Sequence, residues 1–157
     1  MALLTGDEIV EIAIRLEQGG EAFYTAAAEK ASTAAVRELF VYLAEQERHH
    51  RRAFQEMARD GVELALSAEQ YEGFQAYTDA LLKQSFFISP ESALSQAAEA
   101  PDERAALQAA LDFEKETLLF FHELRDVVRG TGQRVVEGVI EEERRHIRRL
   151  SSALAAT

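Results

Sequence analysis

The chain of 157 residues contains no cysteine. That absence excludes disulfides, a thiolate nucleophile, iron–sulfur clusters and any cysteine-ligated iron. Proline occurs only twice while 47% of residues are hydrophobic, a balance that argues against disorder. Basic residues are scarce beside acidic ones, 17 against 28, for a formal net charge of -11. Such a charge opposes binding to nucleic acid or to an anionic membrane, since both present phosphates. Long apolar runs are missing, because the stretches 86–88 and 118–121 are too short to span a bilayer. Residues 1–6 carry no basic stretch followed by a signal-type apolar run, so a cytoplasmic location is expected. No glycine-rich phosphate loop and no nucleophile-elbow pattern occurs, which leaves neither nucleotide hydrolysis nor a serine hydrolase supported.

What is abundant is alanine, leucine, glutamate, glutamine and arginine, all helix formers. The expectation is one all-α domain covering residues 1–157, large enough for a substantial core. A first helix is predicted from Thr5 or Asp7 to about Lys30, with Val10, Ala13, Glu17, Gly20, Tyr24 and Ala27 on one stripe. Ser32-Thr33 caps a second, reaching Arg59 before a stop at Asp60-Gly61. Its stripe is Val36, Leu39, Leu43, Glu47, His50, Phe54 and Met57. Between 62 and 101, residues 69–84 are predicted helical, and Ser89-Pro90-Glu91 opens a short helix to Ala98. A long third core helix starts at Pro101-Asp102-Glu103, ends near Gly130, and aligns Leu107, Ala110, Glu114, Thr117, Phe121, Leu124 and Val128. Thr131-Gly132 is expected to interrupt it, and a last helix presents Val136, Val139, Glu143, His146 and Leu150. Residues from Ser151 onward are expected to fray.

The informative pattern is a doubled Glu-x-x-His, as Glu47/His50 and Glu143/His146. Each copy follows a lone glutamate within an apolar stripe, Glu17 and Glu114, and the glutamate-to-histidine separations are 33 and 32 residues. The surrounding segments repeat as well: Ala13-Ile14-Arg15-Leu16-Glu17 matches Ala110-Leu111-Asp112-Phe113-Glu114. Two helix pairs joined by a long crossover predict a four-helix bundle with one centre between the pairs. Positions i and i+3 project from nearly the same helix face. Glu47 and Glu143 can therefore bridge two ions while His50 and His146 each bind one, with Glu17 and Glu114 as terminal ligands. Burying this many ionised glutamates unpaired would be very costly, and cations remove that objection. Oxygen and nitrogen donors together suit iron or manganese, and zinc can occupy such a site.

Around these six, Tyr24 lies two turns after Glu17 and can donate a hydrogen bond to a ligand or pack as a core tyrosine. Phe121 holds the matching place in the second half. Gly20 costs helix stability, which either space beside a metal or helix packing would justify. His49 points away from the ligand line and His122 sits one position off it. The arginines at 48, 51, 52, 144, 145, 148 and 149 interleave with acids and are read as surface pairs.

Leu16-Glu17-Gln18-Gly19-Gly20-Glu21-Ala22-Phe23-Tyr24 and Leu43-Ala44-Glu45-Gln46-Glu47-Arg48-His49-His50 together resemble the first half of a rubrerythrin di-iron domain. Phe113-Glu114 and Ile140-Glu141-Glu142-Glu143-Arg144-Arg145-His146 resemble its second half. The resemblance implies a ferritin-like bundle and a non-haem di-iron site, in a homodimer or larger assembly. It assigns Glu17, Glu47, His50, Glu114, Glu143 and His146 as ligands to two iron ions. It further implies reduction of hydrogen peroxide with electrons from a donor, or oxidation of ferrous iron by oxygen or peroxide. Rubrerythrins carry one more carboxylate three residues after the third-helix glutamate, where this chain has Thr117; a more symmetric six-ligand site is the expectation. They also carry a cysteine-bound rubredoxin iron, so this chain would need an external reductant. The expected function is thus a di-iron oxidoreductase acting on peroxide or oxygen. The alternatives are a ferroxidase for iron storage or detoxification, and a metal-stabilised interaction protein without turnover.

Overall fold

The computed structural model describes residues 4–85 and 89–157. The apolar stretch 86–88 and the first three residues of the chain lie outside the described part. Six helices follow one another: α1 Gly6–Lys30, α2 Ala34–Asp60, α3 Ala68–Gln84, α4 Pro90–Glu99, α5 Glu103–Val127 and α6 Gly130–Ala156. The four long ones form two hairpins, α1 with α2 and α5 with α6, and α3 and α4 lie in the crossover between them. This is the all-α, ferritin-like architecture with a long helical crossover. Among the described residues no helix is long and apolar enough to cross a membrane.

Each start has a local cause. The Thr5 hydroxyl accepts from Glu8 N while the Glu8 carboxylate accepts from Thr5 N, a reciprocal cap that opens α1. Thr33 caps α2 and Asp102 caps α5 in the ordinary side-chain manner. Gly61, at φ 89°, ends α2 in a conformation that costs a residue without Cβ nothing. In the crossover, Ser67 and Gln70 make a second reciprocal cap, for α3, beyond the caps expected from the sequence. Ser89 with Pro90 at the first helical position opens α4 as anticipated.

Two boundaries differ from expectation. Thr131 and Gly132 do not interrupt; they lie in the first turn of α6, which starts at Gly130. The break falls earlier because the chain at Val127–Arg129 pairs with the crossover instead of continuing α5. Ala65 N donates to Val127 O at 3.0 Å and Arg129 N to Glu63 O at 2.9 Å, flanking an isolated antiparallel bridge between Leu64 and Val128. Gly132 fits there because a Cβ would come within 2.8 Å of the Val128 side chain. At the other end α6 does not fray at Ser151. It continues to Ala156, its last turn tied to α5 by the Arg104 guanidinium, which donates to Leu154 O at 3.2 Å.

The predicted stripes are the buried faces. Every stripe residue of α1, α5 and α6 is buried, and on α2 only Leu39 is partly exposed. At one end of the interior Phe23, Tyr24 and Phe40 contact one another as rings. Elsewhere Phe54 of α2 meets Phe121 of α5 with ring centroids 5.2 Å apart, joining the two hairpins. Because both of these rings are fully buried, Phe54→Ala should lower the unfolding free energy by about 3–5 kcal/mol. Denaturant melts of metal-free protein measure this, and a loss below about 1 kcal/mol would show that the hairpins do not depend on this contact.

Candidate metal centre

Glu17 on α1, Glu47 and His50 on α2, Glu114 on α5, and Glu143 and His146 on α6 converge at one place in the bundle. All four glutamates are fully buried and the imidazoles nearly so. They form two groups, Glu17/Glu47/His50/Glu143 and Glu47/Glu114/Glu143/His146, each offering donor atoms within 4.8 Å of one another. Glu47 and Glu143 belong to both groups. The imidazole rings lie nearly parallel, centroids 5.6 Å apart. His50 Nδ1 is 2.9 Å from Glu143 Oε1 and 3.4 Å from Glu17 Oε2. His146 Nδ1 is 3.0 Å from Glu143 Oε2 and 3.7 Å from Glu114 Oε1.

The donors are short of partners. Both oxygens of Glu17 and of Glu47, one oxygen each of Glu114 and Glu143, and His50 Nδ1 make no hydrogen bond among the described residues. His50 Nδ1 approaches Glu143 closely but not in hydrogen-bond geometry. Orphaned buried acceptors are rare and costly. Divalent cations would satisfy them at once, and two would balance the four carboxylate charges. The residues present therefore fit a two-metal site, and the oxygen-rich donor set with two imidazoles fits iron.

Electrostatics point the same way. Burial, followed by repulsion from Glu143, raises the Glu114 carboxyl to about 8. Burial likewise raises Glu17 and, with repulsion from the neighbouring glutamates, pushes Glu47 well above the carboxylate range. Burial also opposes ionisation of Glu143, but its close approach to the Glu114 carboxyl and to the two imidazoles outweighs that and holds it well below. Burial tends to lower both imidazoles, yet the surrounding carboxylates raise His50 well above its usual value and His146 to about 10. Without metal the site is a cluster of carboxylates that retains protons.

Three neighbours shape the centre. Tyr24 donates its hydroxyl to Glu114 Oε1 at 2.5 Å; burial and the Glu114 charge raise the phenol well above 10.0, so it stays protonated. Gly20 faces Glu47, and a Cβ there would lie 2.6 Å from Glu47 Oε2 and 3.0 Å from the Phe113 ring. The absent side chain is space taken up by the carboxylate. Glu142 was not singled out from the sequence, yet its Oε2 lies 2.6 Å from His50 Nε2. The available signal was the run Glu141-Glu142-Glu143, in which a second acid adjoins a ligand position. Thr117 is buried beside the Glu114 turn, its hydroxyl without a partner among the described residues.

The remaining candidates fall outside. His49 is exposed and pairs with Glu45 at 3.2 Å, and His122 belongs to neither donor group. Arg48 and Arg51 pair with Glu21 as partly buried links between α2 and α1, and Arg144 pairs with Glu141 on the surface. Arg149 instead lies over the Tyr42 ring, 4.2 Å from its centroid, and that ring meets His146 edge-on.

Helices of this order around paired carboxylate–imidazole groups define a ferritin-like di-metal carboxylate bundle. Residues 8–104 match the sequence profile of the Rubrerythrin family. This chain belongs to that family. The matched span ends as α5 begins, so Glu114, Glu143 and His146 rest on the geometry above. Among solved structures, the chain is similar to a crystal structure from Thermotoga maritima described as a ferritin-like diiron-carboxylate protein. The TM-score is 0.70 at 22% identity, over 99% of this chain and 97% of that one, a likeness of fold. No curated protein sequence matches.

Two outcomes follow. Between pH 4.5 and about 8 the folded state keeps a proton on Glu114 that the unfolded chain has released. Between 6.5 and about 10 it keeps one on His146. Stability of the metal-free protein therefore falls as pH rises through both windows. The depressed Glu143 and Glu142 act oppositely, below 4.5. Thermal melts across this range should show a falling midpoint, and a rising one would contradict the protonated cluster. Second, Gly20→Ala should leave metal-free stability within about 1 kcal/mol, helix propensity offsetting a shift of the Glu47 side chain. Calorimetric titration with ferrous or zinc ion should then show weakened binding; unchanged affinity would mean that Gly20 serves only packing.

Proposed function

We propose that the chain is a non-haem di-iron oxidoreductase that reduces hydrogen peroxide or oxygen with electrons from a separate donor. The observation that carries this reading is the sharing of Glu47 and Glu143 between two donor groups. A binuclear centre needs such sharing, and an isolated structural ion does not. Glu17, Glu47 and His50 would hold one metal and Glu114, Glu143 and His146 the other, with Glu47 and Glu143 common to both.

Bound iron would supply the reducing electrons, two per peroxide, which with two protons yields two waters. The chain's own residues supply the rest. Four carboxylates, with no lysine or arginine buried among the described residues, would present a negative charge that favours higher metal charge. Helix packing on every side keeps bulk water out of the centre. Tyr24 holds a proton at its phenol oxygen, 2.5 Å from Glu114, the nearest neutral acid to a ligand oxygen. With no cysteine to hold a second iron centre, the electrons would come from an external donor. Manganese or zinc could fill the same donors, and a homodimer or larger assembly belongs to this reading.

Anaerobic loading with two ferrous ions per chain, then separate rapid mixing with peroxide and oxygen, should give the near-ultraviolet absorption of a ferric carboxylate centre. No such absorption after either mixing would reject the oxidoreductase. Continued turnover of excess ferrous ion into a mineral would instead identify a ferroxidase, and metal-raised thermal stability without any turnover a structural site.

A further inference from the structure

The ligand set is symmetric by residue type, but its hydrogen bonding is not. Glu142 Oε2 stands 2.6 Å from His50 Nε2, whereas His146 Nε2 is buried and has no partner among the described residues. Each imidazole faces the centre with Nδ1, so a bound metal replaces the Nδ1 proton and leaves the remaining proton on Nε2. For His50 that N–H donates to a carboxylate, which fixes the ring and raises its donor strength. For His146 it becomes a buried donor without an acceptor, a costly arrangement.

The terminal carboxylates differ in the same direction. Neither oxygen of Glu17 is engaged, so both can coordinate. One oxygen of Glu114 already accepts from the Tyr24 hydroxyl at 2.5 Å, which weakens it as a metal donor and leaves Oε2 as its one oxygen without a hydrogen bond. His146 Nδ1 additionally hydrogen-bonds Glu143 Oε2 at 3.0 Å, a contact that metal binding must break. His50 Nδ1 makes no such bond.

We propose that the two metal positions fill in order: the Glu17/His50 position first and more tightly, the Glu114/His146 position second and exchangeably. Glu142 and Tyr24 are the positioning residues that set the difference, one backing a ligand and the other occupying one. The second position has fewer free protein donors and so keeps more room for an exogenous ligand. The inference rests on the two-metal reading above and adds to it which half is labile.

Zinc, being diamagnetic, tests this without any turnover. Metal-free protein with labelled imidazole nitrogens is titrated with zinc ion while the His50 and His146 resonances are followed by NMR. His50 should shift during the first equivalent and His146 during the second, with calorimetry resolving two affinities. Glu142→Gln should weaken the first step by about 10–100-fold, typical of losing a carboxylate behind a histidine ligand, and Tyr24→Phe should tighten the second step alone. Both substitutions preserve shape, and the Glu142 side chain is 42% exposed, so folding is retained; circular dichroism checks it. Simultaneous shifts of both imidazoles, a first shift at His146, or variants that leave both steps unchanged would overturn the order while leaving two metals in place. No shift of either imidazole would overturn the two-metal reading itself.

Discussion

Four glutamates with no solvent exposure share one small volume, and the rest of the bundle answers to their mutual repulsion. Desolvation alone makes each charge expensive, and proximity multiplies the cost. The cluster can persist by holding protons, which the raised carboxyls of Glu17, Glu47 and Glu114 indicate, or by holding cations. Only the second also engages the acceptors that lack hydrogen bonds. The acidic centre is therefore better understood as half of a structure whose other half is metal.

Everything near the centre acts on the placement of those carboxylates. Gly20 gives up a side chain so that Glu47 can lie against α1. Tyr24 reaches across from α1 to α5 to hold Glu114, and the Phe23, Tyr24 and Phe40 rings fix the phenol's direction. Close packing transmits such constraints because interiors have little free volume. Glu142 works from outside, at the solvent boundary, through the far nitrogen of His50. A centre with matching residues can thus be unequal in its two halves through contacts that a ligand motif does not encode.

The fold and the six candidate ligands were legible because helical period and motif spacing act locally. Glu47 and His50 face one way for the same reason that Val36 and Leu43 do. The crossover helices were visible through Ser89-Pro90 and residues 69–84, although the Ser67 cap was passed over. The break at Val127–Arg129 was placed too late because it depends on pairing with Glu63–Ala65, far away in sequence. The persistence of α6 beyond Ser151 has a similar origin, since Arg104 on another helix secures it. Glu142 was hidden for the opposite reason: on a charged helix one more acid looks like solvated surface, and only the position of His50 gives it a partner. Local pattern carried what neighbours in sequence decide, and tertiary contacts decided the remainder.

Each hairpin carries one matched half of the ligand set, Glu17/Glu47/His50 on α1–α2 and Glu114/Glu143/His146 on α5–α6. Both halves are made of contacts between neighbouring elements, the kind that forms quickly. Neither hairpin alone offers two groups sharing a pair of carboxylates; those groups exist only once α2 and α6 have met. Metal capture at full strength would then require completed docking, so that a bound ion would report on the assembly of the bundle.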